Sequence, residues 1–143
     1  MTLIAYRKHI TRDITRELRA PEGAVELATV DGTTYVFLPD GAVLGEQPAE
    51  ILDSLAEVTL DAATREAVKA ASPHCRLIND RMQQRIRERY SLDDEMYFAR
   101  IGVGKSTGLY VPSEAELAEL AAFGQFVEGI RAWGREQRAA LGL

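Results

Sequence analysis

The chain has 143 residues, of which 46% are hydrophobic and 27% charged, with a net charge of −5 and one cysteine, Cys75. That length supports one compact domain, or a small β module joined to a helical one, with a core that needs no metal or disulfide staple. One cysteine excludes an intramolecular disulfide and a multi-cysteine metal site. No apolar run approaches the roughly 18–20 residues of a membrane span, and Met1–Lys8 places its charges after its apolar patch, the reverse of a signal peptide, so a cytoplasmic protein is expected.

In chain order, Leu3, Ile4 and Tyr6 predict an extended start, and the spacing of Ile10, Ile14 and Leu18 predicts a short helix over Ile10–Leu18. Pro21-Glu22-Gly23 ends it. Val25, Leu27 and Thr29 alternate with polar or small neighbours, Asp31-Gly32 follows, and Tyr35–Leu38 forms a second β-rich run. Asp-Gly between two such runs signals a hairpin with a type I′ turn. A lone hairpin is marginal in water, so a third strand from Leu3–Tyr6 is expected. Pro48 then opens a short helix over Ala49–Glu57 with Ile51, Leu52 and Leu55 inward.

From Asp61 the pattern is helical. Asp61 caps Ala62–Ala71, and Ser72-Pro73 breaks that helix and starts another, Pro73–Tyr90, with the stripe Leu77, Ile78, Met82, Ile86 and Tyr90. Ser91 caps a further helical turn with Asp93, Asp94 and Glu95 at its positive end and Met96, Tyr97, Phe98 and Ile101 inward. Gly102, Gly104 and Gly108 predict a mobile loop. Ser113-Glu114-Ala115-Glu116 is a capping box opening a last helix to about Leu141, with Leu117, Leu120, Phe123, Val127, Ile130 and Trp133 inward. Gly124, Gly129 and Gly134 on that helix imply close approach of another helix or a kink. The expected class is α+β: an N-terminal antiparallel β-hairpin or small sheet in a β-rich acidic part, residues 1–58, then a helical C-terminal part, residues 59–143.

Charge is segregated. Met1–Ala20 carries five basic residues, Pro21–Asp61 nine acidic residues and no Lys or Arg, and Arg76–Arg89 five arginines. Such blocks suit intramolecular pairing, self-association or a steered partner. Within the last block, Arg76 with Asp80 and Arg85 with Glu88 have the spacing of helix-surface pairs.

Ala99–Ser106 (Ala-Arg-Ile-Gly-Val-Gly-Lys-Ser) fits a relaxed phosphate-loop pattern, which requires a buried strand before it and a helix starting at Lys105-Ser106. Here helix precedes it, Pro112 follows closely, and too little chain remains for a parallel sheet. His74 and Cys75 are sequence neighbours about 100° apart on a helix, so they do not face each other as a nucleophile and base would. No metal or other cofactor is expected. Two features suit partner binding: the arginines Arg81, Arg85 and Arg89, and the group Arg131, Trp133 and Arg135, since Trp and Arg are enriched at binding hot spots.

Ala71–Asn79 (Ala-Ser-Pro-His-Cys-Arg-Leu-Ile-Asn), Ile86–Glu95 (Ile-Arg-Glu-Arg-Tyr-Ser-Leu-Asp-Asp-Glu), Trp133-Gly134-Arg135 and Ala140–Leu143 together resemble short proteins encoded in the tail regions of tailed phages and prophages. The resemblance covers Ala71–Tyr97 and Val127–Leu143, less than half of the chain, and implies no catalytic residue. In architecture, a β-rich front with a charged helical tail is also similar to tail-fibre assembly chaperones. The function expected is therefore a non-enzymatic tail accessory or tail-fibre assembly protein of the bacterial host cytoplasm or the virion. It would bind a tail or tail-fibre protein, or another copy of itself, and no membrane. The alternatives are a nucleic-acid-binding regulator using Arg81, Arg85 and Arg89, and a small NTPase using Lys105.

Overall fold

The computed structural model describes all residues, Met1–Leu143, as an α+β protein. Its elements are β1 (Thr2–Tyr6), β2 (His9–Ile10), β3 (Thr15–Arg16), β4 (Val25–Val30), β5 (Thr33–Leu38), α1 (Ala49–Leu52), β6 (Ala56–Glu57), α2 (Ala62–Ala71), α3 (Pro73–Arg89), α4 (Leu92–Thr107) and α5 (Glu114–Ala139). Met1–Leu77 with Arg138–Leu143 forms one compact unit and Ile78–Gln137 a second, so the boundaries fall inside α3 and α5.

The first unit grows from the Asp31-Gly32 turn. Both residues have positive φ, 49° and 78°, as a type I′ turn requires. β4 and β5 pair across it, and β1 supplies the expected third strand against β5, with Ile4 opposite Val36. Ala56 and Glu57 add a short fourth strand on the other edge of β1, giving the order β4-β5-β1-β6.

This sheet is apolar on both faces. Ile4, Tyr6, Val36 and Leu38 form one cluster with Ile51, and Tyr35, Phe37 and Leu3 pack on a second cluster of Leu27, Ala28, Leu60, Val68, Cys75 and Leu143. A register shift between Glu26 and Ala28 breaks the simple alternation of β4, so Leu27 and Ala28 are both buried while Thr29 is exposed. The Thr29 hydroxyl meets that of fully buried Thr34 at 2.8 Å.

Irregular backbone over the Tyr6 face is held by one buried amide. Gln47 accepts the Arg19 N–H at 2.8 Å and donates to the carbonyls of Arg19 and Gly45, both at 3.1 Å. The segregated charges pair here as well: Lys8 reaches Glu17 and Glu26 at 3.4 and 3.0 Å, and Arg16 reaches Glu50 at 3.5 Å.

Two local expectations fail in this unit. Ile10–Leu18 is not a helix but the two-stranded sheet β2–β3, closed by Thr11, whose N–H donates to the Ile14 carbonyl at 2.9 Å. β-Branched Thr11, Ile14 and Thr15 favour that extended form. The helix at Ala49 stops at Leu52, leaving Leu52 exposed, because Ala56–Val58 pairs with β1 instead, with the Val58 N–H on the Leu3 carbonyl at 2.9 Å.

The helix boundaries follow their caps. Asp61 accepts the Thr64 N–H at 2.7 Å, buried Ser72 accepts the Cys75 N–H at 3.4 Å, and Ser91 with Asp94 and Ser113 with Glu116 close capping boxes. α5 ends in a Schellman motif two residues before the expected Leu141, with Gly142 at φ 78° and the Leu143 N–H on the Arg138 carbonyl at 3.0 Å. That turn places Leu143 in the core beside Val68 and Cys75.

The expected glycine loop is also corrected. α4 runs unbroken through Gly102, Gly104 and Ser106 and stops only at Gly108, in the left-handed conformation at φ 73°. Gly104 is there for contact: the chain turns back so that the Tyr110 N–H reaches the Gly104 carbonyl at 3.1 Å, and a Cβ on Gly104 would meet the Tyr110 Cβ at 2.7 Å. Gly102, Gly124 and Gly129 have open space around a built Cβ, so close approach does not account for Gly124 and Gly129 in α5, whereas Gly134 is buried.

These environments predict opposite signs. Gly129→Ala is expected to raise stability by about 1 kcal/mol, the helix propensity difference, whereas Gly104→Ala lowers it. Urea unfolding followed by circular dichroism measures both, and stabilisation by Gly104→Ala would remove the Tyr110 contact from the account.

Candidate functional site

The second unit is organised by aromatic side chains. Tyr90, immediately after α3, makes edge contacts with Phe98 of α4 and with Phe123 and Phe126 of α5, at centroid distances of 5.8, 5.0 and 5.5 Å. Phe98 stacks on Phe123 at 4.7 Å. Such pairs add about 0.5–1.5 kcal/mol each beyond their buried area.

Several of the side chains expected at a partner surface have contacts within this unit. Arg85 lies over the Trp133 ring at 4.0 Å, and Arg89 over Phe126 at 4.7 Å and Tyr90 at 5.4 Å. Arg135 pairs with Glu128 at 2.7 Å. Arg81 and Arg131 are exposed. The structure therefore brings Arg85 and Trp133 together, half-burying the indole. Of the helix-surface pairs expected on α3, Arg85 takes the aromatic ring instead, Glu88 accepts from the Gln84 amide at 3.2 Å, and Arg87 reaches Glu95 at 2.7 Å.

A different surface stands free. Leu92, Met96, Ala99 and Val103 follow at increments of four, three and four along α4, and all four are exposed. Phe98 and Ile101, each two residues or about 200° from Met96 and Val103, are buried. α4 is thus apolar on two opposite faces. Met96 and Tyr97 were expected inward with Phe98 and Ile101, and both are exposed; Leu77 of α3 is likewise exposed, with Cys75 inward. The band continues into the turn after α4, where Leu109 and Val111 are each 88% exposed and Tyr110 is partly so.

Two hollows flank Arg100. One, of about 360 Å³, is lined by Met96, Ala99, Val103, Gly104, Thr107 and Leu109. The other, of about 330 Å³, is lined by Tyr97, Ile101, Tyr110 and Glu116. The Tyr110 hydroxyl donates to both Glu116 carboxylate oxygens at 2.8 and 3.0 Å, and Glu116 also accepts the Ser113 N–H at 2.8 Å. That backbone hydrogen bond first, and the Tyr110 hydroxyl second, hold the Glu116 carboxyl below its ordinary range. The hydrogen bond to Glu116 raises the Tyr110 phenol in turn. The turn that carries Leu109 and Val111 is therefore tied to both helices it joins.

The catalytic resemblances dissolve on geometry. The amides of Ile101–Ser106 lie inside α4, where helical bonding commits the N–H groups that a phosphate would need. The His74 ring lies 3.1 Å from the Glu26 carbonyl on the surface while Cys75 faces the core. No group of three or more His, Cys, Asp or Glu side chains converges to hold a metal ion, and no helix is long and apolar enough to cross a membrane.

No family model, curated protein or solved structure matches this chain.

Sequence reasoning missed the outer band of α4 because it assigned Met96 inward and broke the helix at Gly102. The signal was present in the spacing of Leu92, Met96, Ala99 and Val103.

Two outcomes follow. A double-mutant cycle with Arg85→Ala and Trp133→Ala is expected to give a coupling of about 1 kcal/mol in urea unfolding; a coupling near zero would separate the two side chains in solution. Because Glu116 is held low in the folded state, its stabilisation is present above the ordinary carboxylate range and is lost as pH falls through its folded value, which lies below that range. Glu116→Gln should remove that part of the acid sensitivity, read as a flatter dependence of the thermal midpoint on pH.

Proposed function

We propose that this chain is a non-enzymatic protein-binding subunit that serves phage or prophage tails as an accessory or assembly protein, in the host cytoplasm or in the virion. The observation that carries protein binding is the uncovered apolar band of α4 and its following turn. Monomers rarely leave a contiguous apolar surface larger than a few hundred Å² uncovered, and those that do generally use it. Its exposed large apolar side chains are Leu92, Met96, Val103, Leu109 and Val111, while Tyr97 and Tyr110 line the separate hollow across Arg100. At on the order of 100 Å² each these five supply roughly 500 Å², within the range in which the largest apolar patch of a monomer is often functional. The tail setting rests on the resemblance over Ala71–Tyr97 and Val127–Leu143.

Two of the three arginines on which the nucleic-acid alternative draws lie over aromatic rings. Arg85 and Arg89 already stack on Trp133 and Phe126, a role that needs no phosphate.

The reading is tested by co-expressing the chain with phage tail and tail-fibre proteins and measuring co-elution. A complex lost on Met96→Lys is expected, and absence of any complex counts against the role. Fluorescence anisotropy with duplex DNA and single-stranded RNA at low salt separates the alternative. Salt-sensitive binding that Arg81→Ala weakens would replace protein binding as the conclusion.

A further inference from the structure

We infer that the outer edge of β6 binds an extended segment of a partner protein, added to the sheet as a further antiparallel strand with a basic residue between two apolar ones. The site lies wholly within the first unit and is separate from the α4 band.

The edge offers backbone groups. β6 is the last strand of the order β4-β5-β1-β6. Glu57 stands opposite Ile4, and the next residue, Val58, donates its N–H to the Leu3 carbonyl at 2.9 Å. Backbone groups of successive residues in an antiparallel ladder point to alternate sides, so the N–H and C=O of Glu57 and Thr59 point away from β1. Both residues are exposed. A strand laid along this edge exchanges two hydrogen bonds with Glu57, the mode by which exposed sheet edges take up peptides.

A hollow reaches that edge on each face of the sheet. One, of about 340 Å³, is lined by Leu3, Val58 and Leu60, on the face of the Leu27 and Val68 cluster. The other, of about 580 Å³, is lined by Ile4, Leu38 and Leu55, on the Ile51 face. Thr2 and Glu57 line both. Side chains of an added strand alternate between the two faces. The residue opposite Glu57 therefore faces the larger hollow, on the Ile4 side, and its two neighbours face the smaller, apolar one. Arg65, which also lines the smaller hollow, is engaged by the Gly142 carbonyl at 3.2 Å.

Charge selects the central residue. No ion pair reaches Glu57, and Pro21–Asp61 contains no Lys or Arg. Asp40, on the larger hollow, is taken by the Met1 amine. A Lys or Arg opposite Glu57 forms a cross-strand pair with it while its methylene stem lies along the apolar lining. The same charge disfavours a second copy as occupant, because β6 paired with itself about Glu57 sets two carboxylates side by side.

The test is titration of the full, isotopically labelled chain with the capped peptide Gly-Ser-Val-Lys-Val-Ser-Gly, read by amide chemical shifts. Saturable shifts at Glu57 and Thr59 are expected, with a dissociation constant below about 1 mM. Glu57→Lys should weaken binding about tenfold and reverse the preference toward the Val-Glu-Val version of the peptide. Methylating the peptide's lysine amide nitrogen should also cost about tenfold, by removing a ladder donor. Glu57 is exposed, so circular dichroism should not change with its substitution. No shifts up to about 5 mM peptide, or binding indifferent to both changes, overturns the inference. So do shifts confined to α4 and its turn, and edge shifts produced by raising the concentration of the chain alone, which make the occupant a second copy. Met96→Lys should leave peptide binding unchanged, so failure here and failure of the α4 reading are read separately.

Discussion

Strand β5 carries Thr34, Val36 and Leu38 on one face and Tyr35 and Phe37 on the other, and every one of them is at least partly buried. A strand of that kind cannot leave one side of its sheet wet. Burying a large apolar side chain is worth about 1.5–3 kcal/mol, so each face gains several such increments only if a cover is found for it. One cover comes from Ala42, Leu44, Ile51 and Leu55, the loosely patterned segment after the hairpin. The other comes from Val68, Cys75 and the last residues of the chain. The Gln47 amide and the Gly142 turn both serve this requirement. The first satisfies backbone groups of an irregular cover, and the second bends the end of α5 so that Leu143 reaches the core.

The features legible in the sequence are those whose cause lies within a few residues. Asp31-Gly32 sets its own turn, and Asp61, Ser72-Pro73, Ser91 and Ser113 satisfy donors three residues away, so the hairpin and four helix starts follow from local chemistry alone. Features set by distant partners were not legible. Ala56 and Glu57 become a strand only because the edge of β1 is free to pair, and nothing in their own residues signals it. Ile10, Ile14 and Leu18 have helical spacing, but only Leu18 packs on the core, while Ile10 and Ile14 are exposed. Periodicity assumes that apolar residues share a destination, and here they do not.

Gly104 shows the same limit from the other side. Two glycines two positions apart are ordinarily a reason to end a helix, since each costs about 1 kcal/mol relative to alanine. α4 absorbs that cost because capping at Ser91 and the burial of Phe98 and Ile101 favour continuing. Gly104 in particular is repaid by Tyr110, which folds back over the position where a side chain would have been. A glycine required by a residue six positions later reads, without that residue's coordinates, as a loop.

The same continuity creates the surface for which protein binding is proposed. Had the chain broken at Gly102, Val103 would have belonged to a loop and Leu92, Met96 and Ala99 would have formed barely two turns of exposed apolar helix. By running to Thr107, α4 aligns Val103 with them and places the turn bearing Leu109 at the end of the same face. Tyr110 then fixes that turn twice, through the Gly104 carbonyl and through Glu116 at the start of α5. A surface held in place in this way loses less conformational entropy on binding than a mobile loop would. Apolar and opposite a packed face, it is the surface proposed for a partner, while Arg85 and Arg89, which suggest one by composition, lie over rings of their own unit.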